Sequence, residues 1–334
     1  MGEASPPTVL SAGVALCTYN GARHVPEQFE SILAQNRMPD EIVVSDDGST
    51  DGTVELIREF LHRAAERGIA VRYLGDGVRR GVTPNFALAI ASCSSDVIVL
   101  SDQDDVWHAD RLGVALESFE RDPGLLLRHE NARLVDERGQ ALGSTLFEAL
   151  AVPSEERSRI NRGQGFGAYL RRNIATGATM SFRRALYPLA APLPEEWVHD
   201  EWLAIVAAAV GRVEVTDNCL VDYRQHGTNV IGAPARTLRY RVARMLETSQ
   251  ARNAALAARS VVLADRLGAT DMVPEEVRAA ARAKAQFEFE RAALPAARIG
   301  RIRGVLRASR GGRYSHFASQ GMLDMLRDVL QRAA

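Results

Sequence analysis

The chain has 334 residues, 46% of them hydrophobic, and its 41 Lys and Arg nearly balance 42 Asp and Glu. That is the profile of a soluble globular protein long enough to bury a substantial core. No apolar run approaches the roughly 20 residues that span a bilayer, Met1 to Pro7 lack the form of a secretory signal, and three scattered cysteines, Cys17, Cys93 and Cys219, argue against a disulfide framework or a zinc site, so the expected setting is a reducing cytoplasm.

From residue 9 onward short β-rich runs alternate with helical ones, the pattern of βαβ units around a mostly parallel sheet. Val9 to Leu16 reads as a strand. Val25, Phe29, Ile32 and Leu33 follow at helical spacing and give a helix with one buried stripe. Glu41 to Ser45 is a second strand, and the small polar turn Asp46 to Gly52 then caps a helix carrying Val54, Ile57 and Leu61. Ala70 to Leu74 is a third strand and Asn85 to Cys93 a helix. A fourth strand, Val97 to Leu100, runs directly into Ser101-Asp102-Gln103-Asp104-Asp105. In open α/β sheets ligands bind beyond the carboxyl ends of the strands, so the polar clusters at these ends converge on one edge, which is where the site belongs.

After Trp107 the pattern predicts a helix, and from Pro153 to Gly167 a polar, loop-rich stretch. Three compact groups follow: Thr176 to Phe182, Trp197 to Trp202, and Tyr223 to Asn229. Beyond Pro234 the sequence is rich in Ala and Arg and reads as helices packed on the preceding body, ending in an apolar stripe of Met322, Met325, Leu326, Val329 and Leu330. Residues 236–334 hold 19 Lys and Arg against 9 Asp and Glu, whereas the remainder holds 22 against 33. An acidic body thus precedes a basic tail. Its charges are either the wet faces of helices or a docking surface for an anionic partner, a membrane rather than nucleic acid. Alanine-rich helices of this kind also suit pairing between subunits.

Several carboxylates at the end of a hydrophobic strand repel one another unless a cation or hydrogen-bond donors offset the repulsion. Mg²⁺ or Mn²⁺ is the natural partner, since Mg²⁺ takes one or two carboxylates and completes its shell with waters and substrate phosphates. The other reading is a solvated turn that caps the next helix. Thr18-Tyr19-Asn20-Gly21 after the first strand and Asp46-Asp47-Gly48 after the second add to the first reading. Tyr19 offers a ring to stack on a pyrimidine, and Asp47 a carboxylate to accept an imide N–H.

LCTYNGA at 16–22, IVVSDDGSTDGT at 42–53, VIVLSDQDDVW at 97–107 and HDEW at 199–202, in this order, resemble family-2 glycosyltransferases of the GT-A fold. YRQHGTN at 223–229 is similar to their bacterial rhamnosyltransferase-like members. The resemblance implies a nucleotide-binding α/β/α sandwich over residues 1–235, with a donor half at about 9–107, an acceptor half at about 108–235, and a helical region at 236–334. It implies that Thr18, Tyr19, Asn20 and Asp47 line the donor site, that Asp102 meets the ribose side, that Asp104 binds the metal on the donor diphosphate, and that Asp200 is the catalytic base of an inverting transfer. The expected donor is a dTDP- or UDP-sugar, rhamnose first, and the expected acceptor a saccharide or lipid-linked saccharide, with the enzyme cytoplasmic or peripheral at the inner face of the membrane.

An acceptor hydroxyl is a poor nucleophile, so a carboxylate within reach must take its proton. Asp200 is favoured over Glu201, because neighbours on a helix point about 100° apart. His199 either orients the base or caps a helix, and Trp202 either shapes an acceptor pocket with His199 and Glu201 or fills core. His226 is read as a metal ligand or diphosphate contact, with Arg224 as a charge partner. Arg79, Arg80, Gly81 and Asn85 either reach the donor or stand at the surface. The QxxRW signature of processive synthases is missing, which favours one sugar per encounter. Two other classes remain open at this level: a sugar nucleotidyltransferase and a non-catalytic sugar- or nucleotide-binding module.

Overall fold

A computed structural model of the chain describes residues 9–225, 250–295 and 297–330. Four strands, β1 (Ala12–Thr18), β2 (Glu41–Asp46), β3 (Ala70–Leu74) and β4 (Val97–Ser101), lie parallel in the order β3-β2-β1-β4. They are joined by α1 (Val25–Leu33), α2 (Thr53–Glu66) and α3 (Val82–Ser92). β1, β2 and β4 are buried along their whole length, as strands covered on both faces must be. Alternation divides their side chains between two cores: Val14 and Leu16 face one with Phe29, Ile57 and Phe60, while Ala15 and Cys17 face the other with Phe86, Ala89 and Ile90. The order reverses between β1 and β4, so the crevice beyond their carboxyl ends is a topological switch point.

Past β4 the sheet turns mixed. A short β5 (Val106–Trp107) and α4 (Arg111–Arg121) lead to β6 (Leu125–Val135) and β7 (Ala141–Thr145). Short helices α5 (Leu146–Ala149), α6 (Ser154–Arg159) and α7 (Phe166–Arg171) precede β8 (Met180–Arg183), α8 (Tyr187–Ala190), α9 (His199–Val210) and β9 (Arg212–Arg224). β8 runs antiparallel between β4 and β6, β9 runs parallel to β6, and β5 closes the far side.

The tail is helical: α10 (Gln250–Gly268), α11 (Glu275–Ala292), α12 (Arg298–Ala308), α13 (Arg313–Phe317) and α14 (Met322–Leu330). Leu263, Leu267, Val273 and Ala281 enter the same core as Trp202 and Leu203, so the tail is packed on the body. A second, small core gathers Phe287, Val305, Ala308, Tyr314 and Ala318. Around it Arg291 is buried between Glu288 at 2.8 Å and Asp328 at 2.6 Å. Tyr314 donates to Asp328 at 2.8 Å, and Lys284 donates to Glu288 at 2.6 Å.

Some expectations shift. The first strand starts at Ala12 rather than Val9, whose side chain is exposed. The third helix starts at Val82, and the buried amide of Asn85 is taken up inside the fold, accepting from Ser45 Oγ at 2.6 Å and donating to Ser45 O at 3.0 Å. Asn85 therefore ties α3 to β2 and does not reach a ligand. The stretch 153–167 is not loop but helical turns. Asn161 holds it by donating to Val215 O at 2.9 Å and accepting from Val215 N at 2.7 Å, with Ile160 and Phe166 buried beneath. The expected division at 235/236 and His226 lie outside the described residues.

Candidate active site

Three strand ends and one helix start meet at the switch point. Gln103 pins the loops after β1 and β4 together, accepting from Tyr19 N at 2.8 Å and donating to Tyr19 O at 3.1 Å. A Cβ at position 21 would lie 2.3 Å from Gln103 Oε1, which is why Gly21 stands there. Asn20 adopts a positive φ of 47°, a region asparagine tolerates, and accepts from Thr50 N at 2.8 Å. Asp47 is buried and accepts the backbone amides of Arg80 and Gly81. A carboxylate has about four lone-pair sites, so this leaves capacity for a ligand N–H. The guanidinium of Arg79 lies 4.1 Å from the centroid of the Tyr19 ring and covers one of its faces.

Within the acidic loop the residues divide by direction. Asp105 is buried and accepts from Arg224 N at 3.1 Å; burial and the charges of Asp104 and Asp102 push its carboxyl well up. Asp102 and Asp104 are half-buried. Burial raises Asp102 to about 7, reinforced by the charges of Asp104 and then Asp200. Those three carboxylates therefore share one field. Behind them sits Arg111, whose Nη2 donates to Ala178 O at 2.6 Å and whose charge opposes the rise at Asp102 and Asp105. No group of three or more His, Cys, Asp or Glu able to hold a metal closes up among the described residues. Asp104 with Asp102 nevertheless fits Mg²⁺ or Mn²⁺, because such an ion takes only one or two carboxylates and completes its shell from phosphate and water.

Asp200 stands in the first turn of α9, buried, with Oδ2 accepting from Gly177 N at 3.0 Å and Oδ1 from Glu201 N at 2.6 Å. Burial raises its carboxyl to about 6, although the amides pull the other way. His199 lies flat on Phe86 with ring centroids 3.9 Å apart, and burial draws it down to about 3. It neither orients Asp200 nor caps α9, whose cap is Val198. A Cβ at Gly177 would come within 2.8 Å of His199 Nε2, so only glycine lets this amide reach Asp200.

Other expected contacts are corrected. Thr18 is buried and donates its hydroxyl to Asp46 at 2.7 Å, facing inward. Trp202 is 0% exposed, with Nε1 donating to Ala190 O at 2.8 Å; it is core, not a wall of an acceptor pocket. Glu201 is ion-paired with Arg259 of α10, which also stacks on Trp197 at 4.2 Å. Arg224 is 2% exposed and braces the acidic loop, with Nε donating to Asp104 O at 2.8 Å, Nη1 to Glu137 O at 3.1 Å and Nη2 to Glu27. Read as a charge partner of His226 at the donor, Arg224 is here a part that holds the loops. A groove of about 490 Å³ beside Phe147, Arg157 and Asp217 contains none of these residues.

Residues 13–177 match the family model for Glycosyl transferase family 2. That stretch, just under half of the chain, is a family-2 glycosyltransferase segment. Among curated relatives, the dTDP-rhamnosyl transferase RfbG of Shigella flexneri is 34% identical over 108 residues, covering 30% of this chain and 36% of the relative. The chain spans between 36% and 66% of the length of the first curated relatives it matches. Residues 1–349 of TarS from S. aureus, solved with UDP, share the fold at 15% identity and a TM-score of 0.56, covering 96% of this chain and 90% of that one. The mannosyltransferase PcManGT of Pyrobaculum calidifontis, solved with GDP-Man and Mn²⁺, does so at 20% identity and 0.52, covering 92% and 78%. The mixed α/β sheet is thus the GT-A fold of family-2 glycosyltransferases, as the motifs imply. In this chain, sequence reasoning missed Gln103, Arg111, Gly177 and Arg259. Gln103 lay inside the acidic cluster, whereas Arg259 meets Glu201 across 58 residues and leaves no local signal.

Proposed function

We propose that the chain transfers a single sugar, rhamnose first, from a dTDP- or UDP-linked donor to a hydroxyl of a saccharide or lipid-linked acceptor, with inversion. The observation that carries this reading is Asp200. It is a buried carboxylate fixed by two backbone amides, with its carboxyl raised to about 6 and in the same field as Asp102 beyond β4. A base of that strength is ionised near neutral pH yet strong enough to accept a proton as the acceptor oxygen attacks. The acceptor O–H passes its proton to Asp200, the oxygen bonds to the anomeric carbon, and the bond from that carbon to the diphosphate breaks on the opposite side.

Asp104, with Asp102, would hold Mg²⁺ or Mn²⁺ on the donor diphosphate, where such an ion stabilises the leaving charge. Tyr19 and Asp47 would receive the base, the first by its ring and the second through its remaining lone pairs. The UDP in TarS, the GDP-Man and Mn²⁺ in PcManGT and the likeness to the dTDP-rhamnosyl transferase RfbG support a nucleotide-sugar donor.

The deciding experiment is a calorimetric screen of dTDP, UDP, GDP and CDP with and without Mn²⁺, followed by transfer assays on the nucleotide-sugars of whichever base binds. Metal-dependent binding of dTDP or UDP that Asp104→Ala weakens is the expected result. A metal response unchanged in Asp104→Ala removes Asp104 from the ion, and binding without transfer on any acceptor favours a binding module.

A further inference from the structure

The last helices reverse the usual distribution of polarity. Between residues 297 and 330 both acids, Asp324 and Asp328, are 0% exposed. Asp328 accepts from Arg291 and Tyr314, and Asp324 from Arg327 at 2.9 Å. The charges of α14 thus point inward, and Met322, Leu323, Leu326 and Leu330 stand 47–62% exposed. On α12, which packs beside α14, Ile299, Ile302 and Leu306 follow at i, i+3 and i+7, the spacing of one helix face, and are 43–73% exposed. Arg303, Arg307 and Arg310 are exposed on the same segment. Among the described residues from 297 to 330, the outer surface offers apolar side chains and guanidinium groups and no exposed carboxylate.

We infer that this face docks on an anionic lipid bilayer, with α12 and α14 in the plane of the interface. Their apolar side chains enter the acyl boundary and Arg303, Arg307 and Arg310 meet headgroup phosphates. Charge selects this occupant. In a symmetric pairing of two copies the same patch faces itself, which sets the arginines of each copy against a surface that carries arginines and no exposed acid. Anionic headgroups supply the missing negative charge. The contact is peripheral, because no helix among the described residues is long and apolar enough to cross a membrane. Nothing in this inference uses the donor cleft, so it stands or falls apart from the transfer reaction.

The test is co-sedimentation of the full chain with vesicles of phosphatidylcholine alone and of phosphatidylcholine mixed with phosphatidylglycerol. Binding to the mixed vesicles only, weakened by salt, is expected. Leu306→Gln with Leu326→Gln, and separately Arg303→Ser with Arg307→Ser, should each lower that binding about tenfold or more. All four positions are exposed, so the melting temperature should hold, and dTDP or UDP binding measured on the same samples should not change. Failure to bind mixed vesicles, or binding that survives both variants, overturns the inference. So does a dimer in sedimentation velocity that Leu326→Gln dissolves, which would give the face to a second copy.

Discussion

The donor edge and the tail are built on opposite plans. At the donor edge β1, β2 and β4 are buried on both faces, and polar side chains collect beyond their ends and at the start of α9, where carboxylates accept backbone amides: Asp47 from Arg80 and Gly81, Asp46 from Ser49, Asp200 from Gly177. In the last helices the carboxylates go inside, with Arg291 between Glu288 and Asp328, while Leu323, Leu326 and Leu330 remain outside. A sheet satisfies its backbone within the ladder and frees its strand ends for chemistry. A few Ala-rich helices around five buried side chains have little apolar bulk, so directional ion pairs fix how they pack.

This contrast can be broken by substitution. The largest effect belongs to Asp200→Asn, which should lower turnover by about 10²–10⁴-fold while leaving nucleotide binding in place; retained turnover would move the base elsewhere. In the tail, Asp328→Ala leaves the buried Arg291 guanidinium with Glu288 alone and Tyr314 without its acceptor, and should cost about 3–5 kcal/mol in urea unfolding, with the donor edge unaffected in chemistry. A loss below 1 kcal/mol would show that the ion pairs are ornament and the apolar contacts suffice. Gly177→Ala, where the added carbon meets His199, should cost about 1–3 kcal/mol and displace the amide from Asp200, so that kcat falls more than KM rises. The gentlest probe is pH. Because burial raises Asp200 to about 6 and the base must be ionised to work, kcat/KM should be level above that value and fall about tenfold per pH unit below it. A profile flat down to pH 4 would contradict a base at this position.

The same contrast decides what was legible in the sequence. The strands from Glu41 and Val97 and the two helices carrying Phe29 and Ile57 could be read because side-chain period and turn chemistry are local. The clusters at 46–51 and 102–105 could be placed at one edge because both follow strands. What each side chain does there was less legible, since its partners come from afar: Thr18 finds Asp46 28 positions on, and Arg224 finds Asp105 119 positions back. Trp202 sits in a motif like an acceptor-site residue, but Ala190 and the core around it claim it. The apolar stripe from Met322 pointed to a packed face. The burial of Asp324 and Asp328 turned much of it outward, an outcome that no periodicity rule foresees.

Arg224 also sets an order of events. One guanidinium and one amide from the end of β9 hold the turn after β4, the loop after β6 and the first helix at Glu27. Synthesis delivers the acidic turn well before residue 224 leaves the ribosome, so a nascent chain carries the carboxylates of that turn for some time without their brace. The stretch matched by the family model, ending at residue 177, is therefore shorter than the stretch needed to set the cleft. A fragment cut at that limit would lack the last strand, the brace and Asp200 together.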